Sequence, residues 1–232
     1  MPVSGESSCL TSISIRCLFP DMFLIISGGN APGNQLVQDR AAHASRIIAA
    51  DKGACYCLDA GVIPDIVVGD MDSIDSRSLE KLHEYNVELE EHSTDKDQTD
   101  TQLALDLAVR GGADKVEMLA ACGDRFDHSL ANVHLLYRAR SLGVPAVILS
   151  TTQRIFLVDK EIFLRGSKGL TISLLPLTMR ADGIYLSGFL YDLENASMEI
   201  GNPYGISNTI TSDKARISIN NGVLIVTIAS VV

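Results

Sequence analysis

The segment Pro64-Asp65-Ile66-Val67-Val68-Gly69-Asp70-Met71-Asp72-Ser73 sets two carboxylates two residues apart, directly after a short apolar run and a glycine. Carboxylate oxygens are hard ligands suited to Mg²⁺, and a cation held there could bridge to a phosphate. The same residues would equally serve a polar turn that caps the next helix. A second acidic segment follows, Thr94-Asp95-Lys96-Asp97-Gln98-Thr99-Asp100. An acid in it could do no more than complement a helix macrodipole. Gathered at one place, however, Asp70, Asp72, Asp97 and Asp100 would repel one another without a cation, so the two segments together favour a metal site.

Gly123-Asp124-Arg125-Phe126-Asp127-His128 adds a guanidinium whose planar fork suits phosphate oxygens. Its plainer alternative is an Arg125–Asp127 surface pair. His128 falls in the first turn of an expected helix, where it reads as a polar contact group more readily than as a general base. Ser27-Gly28-Gly29-Asn30 would let backbone amides approach a phosphate, because glycine lacks the side chain that blocks approach. By itself that signal is weak, and the segment matches neither the dinucleotide fingerprint nor the Walker A loop.

These segments need elements to position them. From Met22 short apolar runs alternate with helical stretches, the rhythm of a parallel sheet with crossover helices. Strands are expected at 23–26, 46–50, 66–68, 116–120 and 144–149; the first, third and fourth run into Ser27-Gly28-Gly29-Asn30, Gly69-Asp70-Met71-Asp72 and Cys122-Gly123-Asp124-Arg125, and the second into Asp51-Lys52-Gly53. Helices are expected at 78–85, 100–109 and 128–141, the second opening with Thr99 and Gln102 in capping-box spacing and stopping at Gly111-Gly112. Ligands of open α/β sheets collect at the carboxyl ends of strands, so the polar segments converge on one candidate site. After about residue 151 the pattern becomes short alternating strands at 162–165, 169–175, 183–191, 195–200, 214–219 and 223–229, read as a β-sandwich. Asn221-Gly222 between the last two is a strong signal for a type I′ hairpin.

The 232 residues suffice for one large domain or two modest ones. The net charge of −10 arises entirely before residue 152, and residues 65–100 alone carry twelve acids against three bases. Such a field opposes nucleic acid and anionic membranes, and a phosphate substrate there would need a cation between. No run approaches the roughly 18 apolar residues of a membrane span. Residues 1–21 lack the pattern of a secretory signal and read as an extension. The five cysteines, Cys9, Cys17, Cys55, Cys57 and Cys122, lack paired metal-ligand spacing and read as reduced thiols of a cytoplasmic protein.

Six pieces stand together in order: Ser27-Gly28-Gly29, Ala50-Asp51-Lys52-Gly53-Ala54, Pro64 through Ser73, Asp97-Gln98-Thr99-Asp100, Gly123 through His128, and Gly205-Ile206-Ser207-Asn208. In that assembly the sequence resembles the thiamine pyrophosphokinase family. The resemblance implies an α/β domain over 22–151 followed by a thiamine-binding β-sandwich over 152–232, in a homodimer whose active sites lie where both subunits meet. It implies that pyrophosphate passes from ATP to the thiamine hydroxyl, giving thiamine diphosphate and AMP. Asp70, Asp72, Asp97 and Asp100 would gather Mg²⁺ and the ATP phosphates. Gly28, Gly29, Asn30, Asp51, Lys52, Gly53, Lys96, Arg125, Asp127 and His128 would belong to the nucleotide side. Gln98, Asp100, Ser207 and Asn208 would bind thiamine, with Asp100 or Asp97 as the proton acceptor. The chain has no tryptophan to stack on thiamine, and Tyr204 is the substitute it offers; Asp124 stands where a second glycine is frequent. The alternatives are a hydroxymethylpterin pyrophosphokinase, a phosphatase using Asp70 as nucleophile, and a non-catalytic nucleotide or thiamine sensor.

Overall fold

The computed structural model describes residues 21–93, 95 and 97–229. Apart from Asp21, the expected extension lies outside them, as does Lys96. The first part runs β1 (Met22–Ile26), α1 (Asn34–Ala41), β2 (Arg46–Ala50), α2 (Gly53–Asp59), β3 (Ile66–Gly69), α3 (Ser76–Glu84), β4 (Glu88–Glu91), α4 (Asp100–Arg110), β5 (Lys115–Leu119), α5 (Phe126–Ser141) and β6 (Ala146–Leu149). The second part is all strand: β7 (Gln153–Val158), β8 (Glu161–Arg165), β9 (Thr171–Pro176), β10 (Arg180–Ser187), β11 (Leu193–Glu199), β12 (Asn208–Thr209), β13 (Lys214–Ser218) and β14 (Leu224–Ala229).

The six strands of the first part are parallel, in the order β6-β5-β1-β2-β3-β4. β1 is buried at every position, as a central parallel strand covered on both faces must be. One face packs Ile25, Ile48, Val68 and Met118 against α4 and α5, and the other packs Leu24, Ala49 and Val67 beneath α1, α2 and α3. Thr99 caps α4 by accepting from the Gln102 amide at 3.2 Å, as its spacing predicts. The sequence does not announce α1 and β4. α1 buries only Val37 fully, and β4, Glu-Leu-Glu-Glu, is an edge strand whose charges keep it from pairing further.

The parallel sheet does not stop at residue 151. β7 turns back antiparallel beside β6, pairing Val147 with Phe156, and β14, β9 and β12 extend the same sheet to ten strands. A second sheet, β11-β10-β13-β8, closes over that extension. Leu164, Ile184 and Ile217 from one layer meet Ile172, Leu224 and Val226 from the other, which makes the sandwich. The hairpin expected at Asn221-Gly222 is not one. β13 pairs with β8 and β10 whereas β14 pairs with β7 and β9, so the turn carries the chain from one layer to the other. Both alternating strands face the same core from opposite sheets, and alternation alone does not distinguish that from pairing.

Among the described residues no helix is long and apolar enough to cross a membrane. The thiol of Cys57, buried in α2, is pushed up to about 12 by desolvation and by neighbouring Cys55, which makes it inert. Glu117, 3% exposed on β5, takes both Arg40 at 2.8 Å and Lys115 at 2.7 Å. Replacing it by alanine strands two cations at a partly buried site, and we expect Glu117→Ala to lose about 2 kcal/mol of unfolding free energy in urea titration.

Candidate active site

Strand order reverses between β1 and β5, which makes the carboxyl ends of these two strands the topological switch point. The loops leaving them are stitched together there. The Gly29 amide donates to Ala120 O at 2.7 Å and the Asn30 amide to Cys122 O at 2.9 Å. A Cβ on Gly29 would stand 2.4 Å from Ala120 O, and one on Gly53 would stand 1.8 Å from Ile26 O. Both glycines are therefore demanded by backbone approach, which also brings the start of α2 against the end of β1. Tyr56 fixes the first loop further, its hydroxyl donating to Gly29 O at 2.8 Å.

The result is a cleft of about 460 Å³ at the carboxyl edge. Gly28, Gly29 and Asn30 line one side, Asp51, Lys52 and Asp100 the floor, and Arg125 with His128 the other side. Six of these eight come from the polar segments that the strand-end reading singled out, and Asp51 and Lys52 from the turn after β2. Arg125 holds Asp127 at 2.7 Å in an exposed pair, and that bond keeps the Asp127 carboxyl below its ordinary range. Water screens such a pair, so the guanidinium can exchange Asp127 for a ligand at little cost.

Carboxylate oxygens of Asp51, Asp70 and Asp72 lie within 4.8 Å of one another. Asp70 and Asp72 are thus neighbours as their spacing predicts, but their third partner is Asp51 at the end of β2. Asp100 stands close by, for a Cβ on Gly69 would lie 3.1 Å from Asp51 Cβ and 3.2 Å from Asp100 Oδ1. Asp97 and Gln98 are exposed, outside both the trio and the cleft lining. Asp70 accepts from the Asp72 amide at 3.2 Å and Asp72 from the Ser73 hydroxyl at 3.0 Å. Asp51 Oδ1 is buried and has no hydrogen-bond partner among the described residues. A buried carboxylate oxygen left so is costly, and the carboxylates of Asp51, Asp70 and Asp72 together form a hard donor set that a divalent cation fits.

Backbone strain gathers here as well. Asp51 (φ 47°), Met71 (φ 63°) and Ala120 (φ 50°) are all left-handed without being glycine, each at or just past the carboxyl end of a strand. Alanine has no polar side chain to favour that region, so the surrounding bonds must impose it.

Sequence reasoning missed the residues that hold the β5–α5 loop. Asn132, buried in α5, donates to Ala121 O at 2.7 Å, and Ser129 accepts from the Gly123 amide at 3.0 Å. It also missed the buried hydroxyl pair in which Thr101 donates to Ser27 at 3.0 Å. A lone asparagine four residues after His128 on an apolar helix was the available signal. Ser207 and Asn208 lie in the sandwich and do not line this cleft. The Asn208 amide is spent within the chain, donating to Tyr191 O and accepting from the Tyr191 and Thr209 amides.

Two family profiles match the chain: "Thiamin pyrophosphokinase, catalytic domain" over residues 37–148 and "Thiamin pyrophosphokinase, vitamin B1 binding domain" over 159–224. The thiamine pyrophosphokinase of Bacillus subtilis is 32% identical over 189 residues, covering 77% of this chain and 84% of that protein. The chain belongs to the thiamine pyrophosphokinase family. Thiamine pyrophosphokinase 1 of Oryza sativa is 31% identical over 166 residues, which are 67% of this chain and 62% of the rice protein. The crystal structure of the Bacillus subtilis thiamine pyrophosphokinase superposes with a TM-score of 0.81 at 27% identity, over 91% of this chain and all of that one.

Membership of the thiamine pyrophosphokinase family makes the protein an enzyme of ATP-dependent kinase chemistry, a class that commonly needs a divalent metal. Its catalytic-domain match takes in the trio and the β5–α5 loop, and its vitamin-binding match takes in Ser207 and Asn208. The stitched loops should be intolerant of any side chain. We expect Gly29→Ala to stay folded by circular dichroism yet raise the KM for ATP about tenfold or more, read by steady-state kinetics.

Proposed function

We propose that the chain transfers the terminal pyrophosphate of ATP to the hydroxyethyl arm of thiamine and releases AMP. The observation that carries this is the Asp51, Asp70 and Asp72 trio beside a glycine-lined cleft at the switch point, in a chain that matches both parts of the family. Mg²⁺ on that trio would draw the ATP phosphate oxygens to the cleft floor and neutralise part of their charge. The amides of Gly28 and Gly29 and the cations of Lys52 and Arg125 would hold the remaining oxygens, so that alignment and charge do most of the work.

The thiamine hydroxyl oxygen then bonds to the β-phosphorus as the bond from that phosphorus to the bridging oxygen of AMP breaks, and AMP leaves with the bridging oxygen. The hydroxyl proton passes to a carboxylate. Asp100 lines the cleft and Asp97 does not, which favours Asp100 as the acceptor. His128, exposed in the first turn of α5, fits a ligand contact.

A homodimer suits two exposed apolar groups. Phe126, Leu130 and Tyr137 lie along α5 from the edge of the cleft, and Leu190, Tyr191 and Ile206 cluster around Asn208 on the sandwich. Pairing these surfaces across subunits would bring Ser207, Asn208 and Tyr204 towards a partner's cleft, to the thiamine side of the reaction. The partly exposed thiols of Cys55 and Cys122 suit a reducing, cytoplasmic setting.

Both family profiles and the relatives compared are of thiamine pyrophosphokinase, which leaves the pterin enzyme, the phosphatase and the sensor without support. Incubation with Mg-ATP and thiamine should give AMP and thiamine diphosphate in equal amounts; ADP, or phosphate with an aspartyl-phosphate on Asp70, would overturn the reading. Asp72→Asn should keep the fold and lower kcat at saturating Mg-ATP by about 100-fold or more, and an unchanged rate would remove Asp72 from the metal site.

A further inference from the structure

A second cavity, about 710 Å³, opens where the parallel sheet passes into the sandwich, and it shares no lining residue with the active-site cleft. Alternation along β7 sends Ile155 and Leu157 to the α4–α5 face and leaves Arg154 and Phe156 on the other. That other face is the cavity floor, continued by Val147 and Leu149 of β6. Leu36 and Arg40 of α1 form one wall, and Ile162 and Phe163 of β8 form the opposite one.

The lining combines apolar side chains with four cations, Arg40, Lys115, Arg154 and Arg165. Arg40 and Lys115 are engaged by the buried Glu117, but the guanidinium groups of Arg154 and Arg165 have no hydrogen bond or ion pair among the described residues. Lys214, the register partner of Arg165, places its Nζ 4.7 Å from the centre of the Phe163 ring and adds a further positive charge at the rim. In a chain of net charge −10, this is a local reversal of sign. Unpaired guanidinium forks beside aromatic and aliphatic walls suit a ligand with a flat apolar body and one anionic head. The volume falls in the range of small-molecule sites, and the junction between two halves of a molecule is where such sites concentrate. Polyanions fit poorly, because the cations flank a recess instead of tracking a surface.

We propose that this cavity is a second ligand site, which takes a small amphipathic organic anion: its apolar body lies against Phe156 and Phe163 and its carboxylate, sulfonate or phosphate on Arg154 and Arg165. The test uses 8-anilinonaphthalene-1-sulfonate with the full-length protein, titrated by fluorescence in saturating Mg-ATP so that the cleft is occupied. Saturable binding to one site per chain is expected. The double variant Arg154→Glu/Arg165→Glu should weaken it about tenfold or more, with the circular dichroism spectrum and pyrophosphate transfer unchanged. Arg154→Gln/Arg165→Gln, which keeps the bulk of both side chains, should weaken it in the same direction and by less. Neutral N-phenyl-1-naphthylamine should bind more weakly than the sulfonate and be indifferent to both variants. Absence of saturable binding, competition by ATP, or equal affinity in wild type and both variants would overturn the proposal.

Discussion

Asp51, Asp70 and Asp72 bring a carboxylate oxygen each to within 4.8 Å of the others, and that crowding constrains everything around it. Two like charges about 4 Å apart repel by about 4 kcal/mol at the effective dielectric of a protein surface. The fold nevertheless adds backbone strain at Asp51, Met71 and Ala120 to reach this arrangement. Strain and repulsion in one place persist only when the surroundings over-determine them, and functional sites are where such places occur. Here the surroundings are the sheet itself: the Asp51 amide is tied to Val68 O at 2.9 Å, and the loops after β1 and β5 are tied to each other.

The sheet accounts for more than the cleft. Because it continues through β7 into β14, β9 and β12, the part matched by the vitamin B1 binding profile grows from the same hydrogen-bonded layer as the part matched by the catalytic one. The two share a framework, although their cores are separate, one built on Ile25, Val68 and Met118 and the other on Ile172, Leu224 and Ile217. A continuous sheet resists hinge motion between halves in a way that a flexible linker would not. It also leaves the seam over β6 and β7 as a recess, since helices cover one side of the seam and a second sheet the other.

The polar supports of the site follow the same economy. Asn132, Ser129, Thr101 and Tyr56 hold backbone or hydroxyl groups of the loops, so the groups that face the cleft are positioned from behind. Each satisfies a polar group that burial would otherwise leave without a partner, which ties local stability to the shape of the cleft.

Much of this was legible in the residues themselves. Apolar runs ending in Gly-Gly, Asp-Lys-Gly, Gly-Asp-Met-Asp and Gly-Asp-Arg declare parallel strands with polar carboxyl ends, because strand burial and ligand approach each impose a local pattern. The Thr99 cap and the change to short alternating strands after residue 151 are equally local. Which carboxylates meet was not local. Asp97 and Asp100 precede a helix in suitable spacing, yet the partner that joins Asp70 and Asp72 is Asp51, carried there by the pairing of β2 with β3. Likewise Asn221-Gly222 reads as a hairpin until the sheets are seen to separate its flanking strands. Spacing along a chain specifies turns and faces, whereas proximity between segments depends on strand order and register, and those are decided by the packing of the whole sheet.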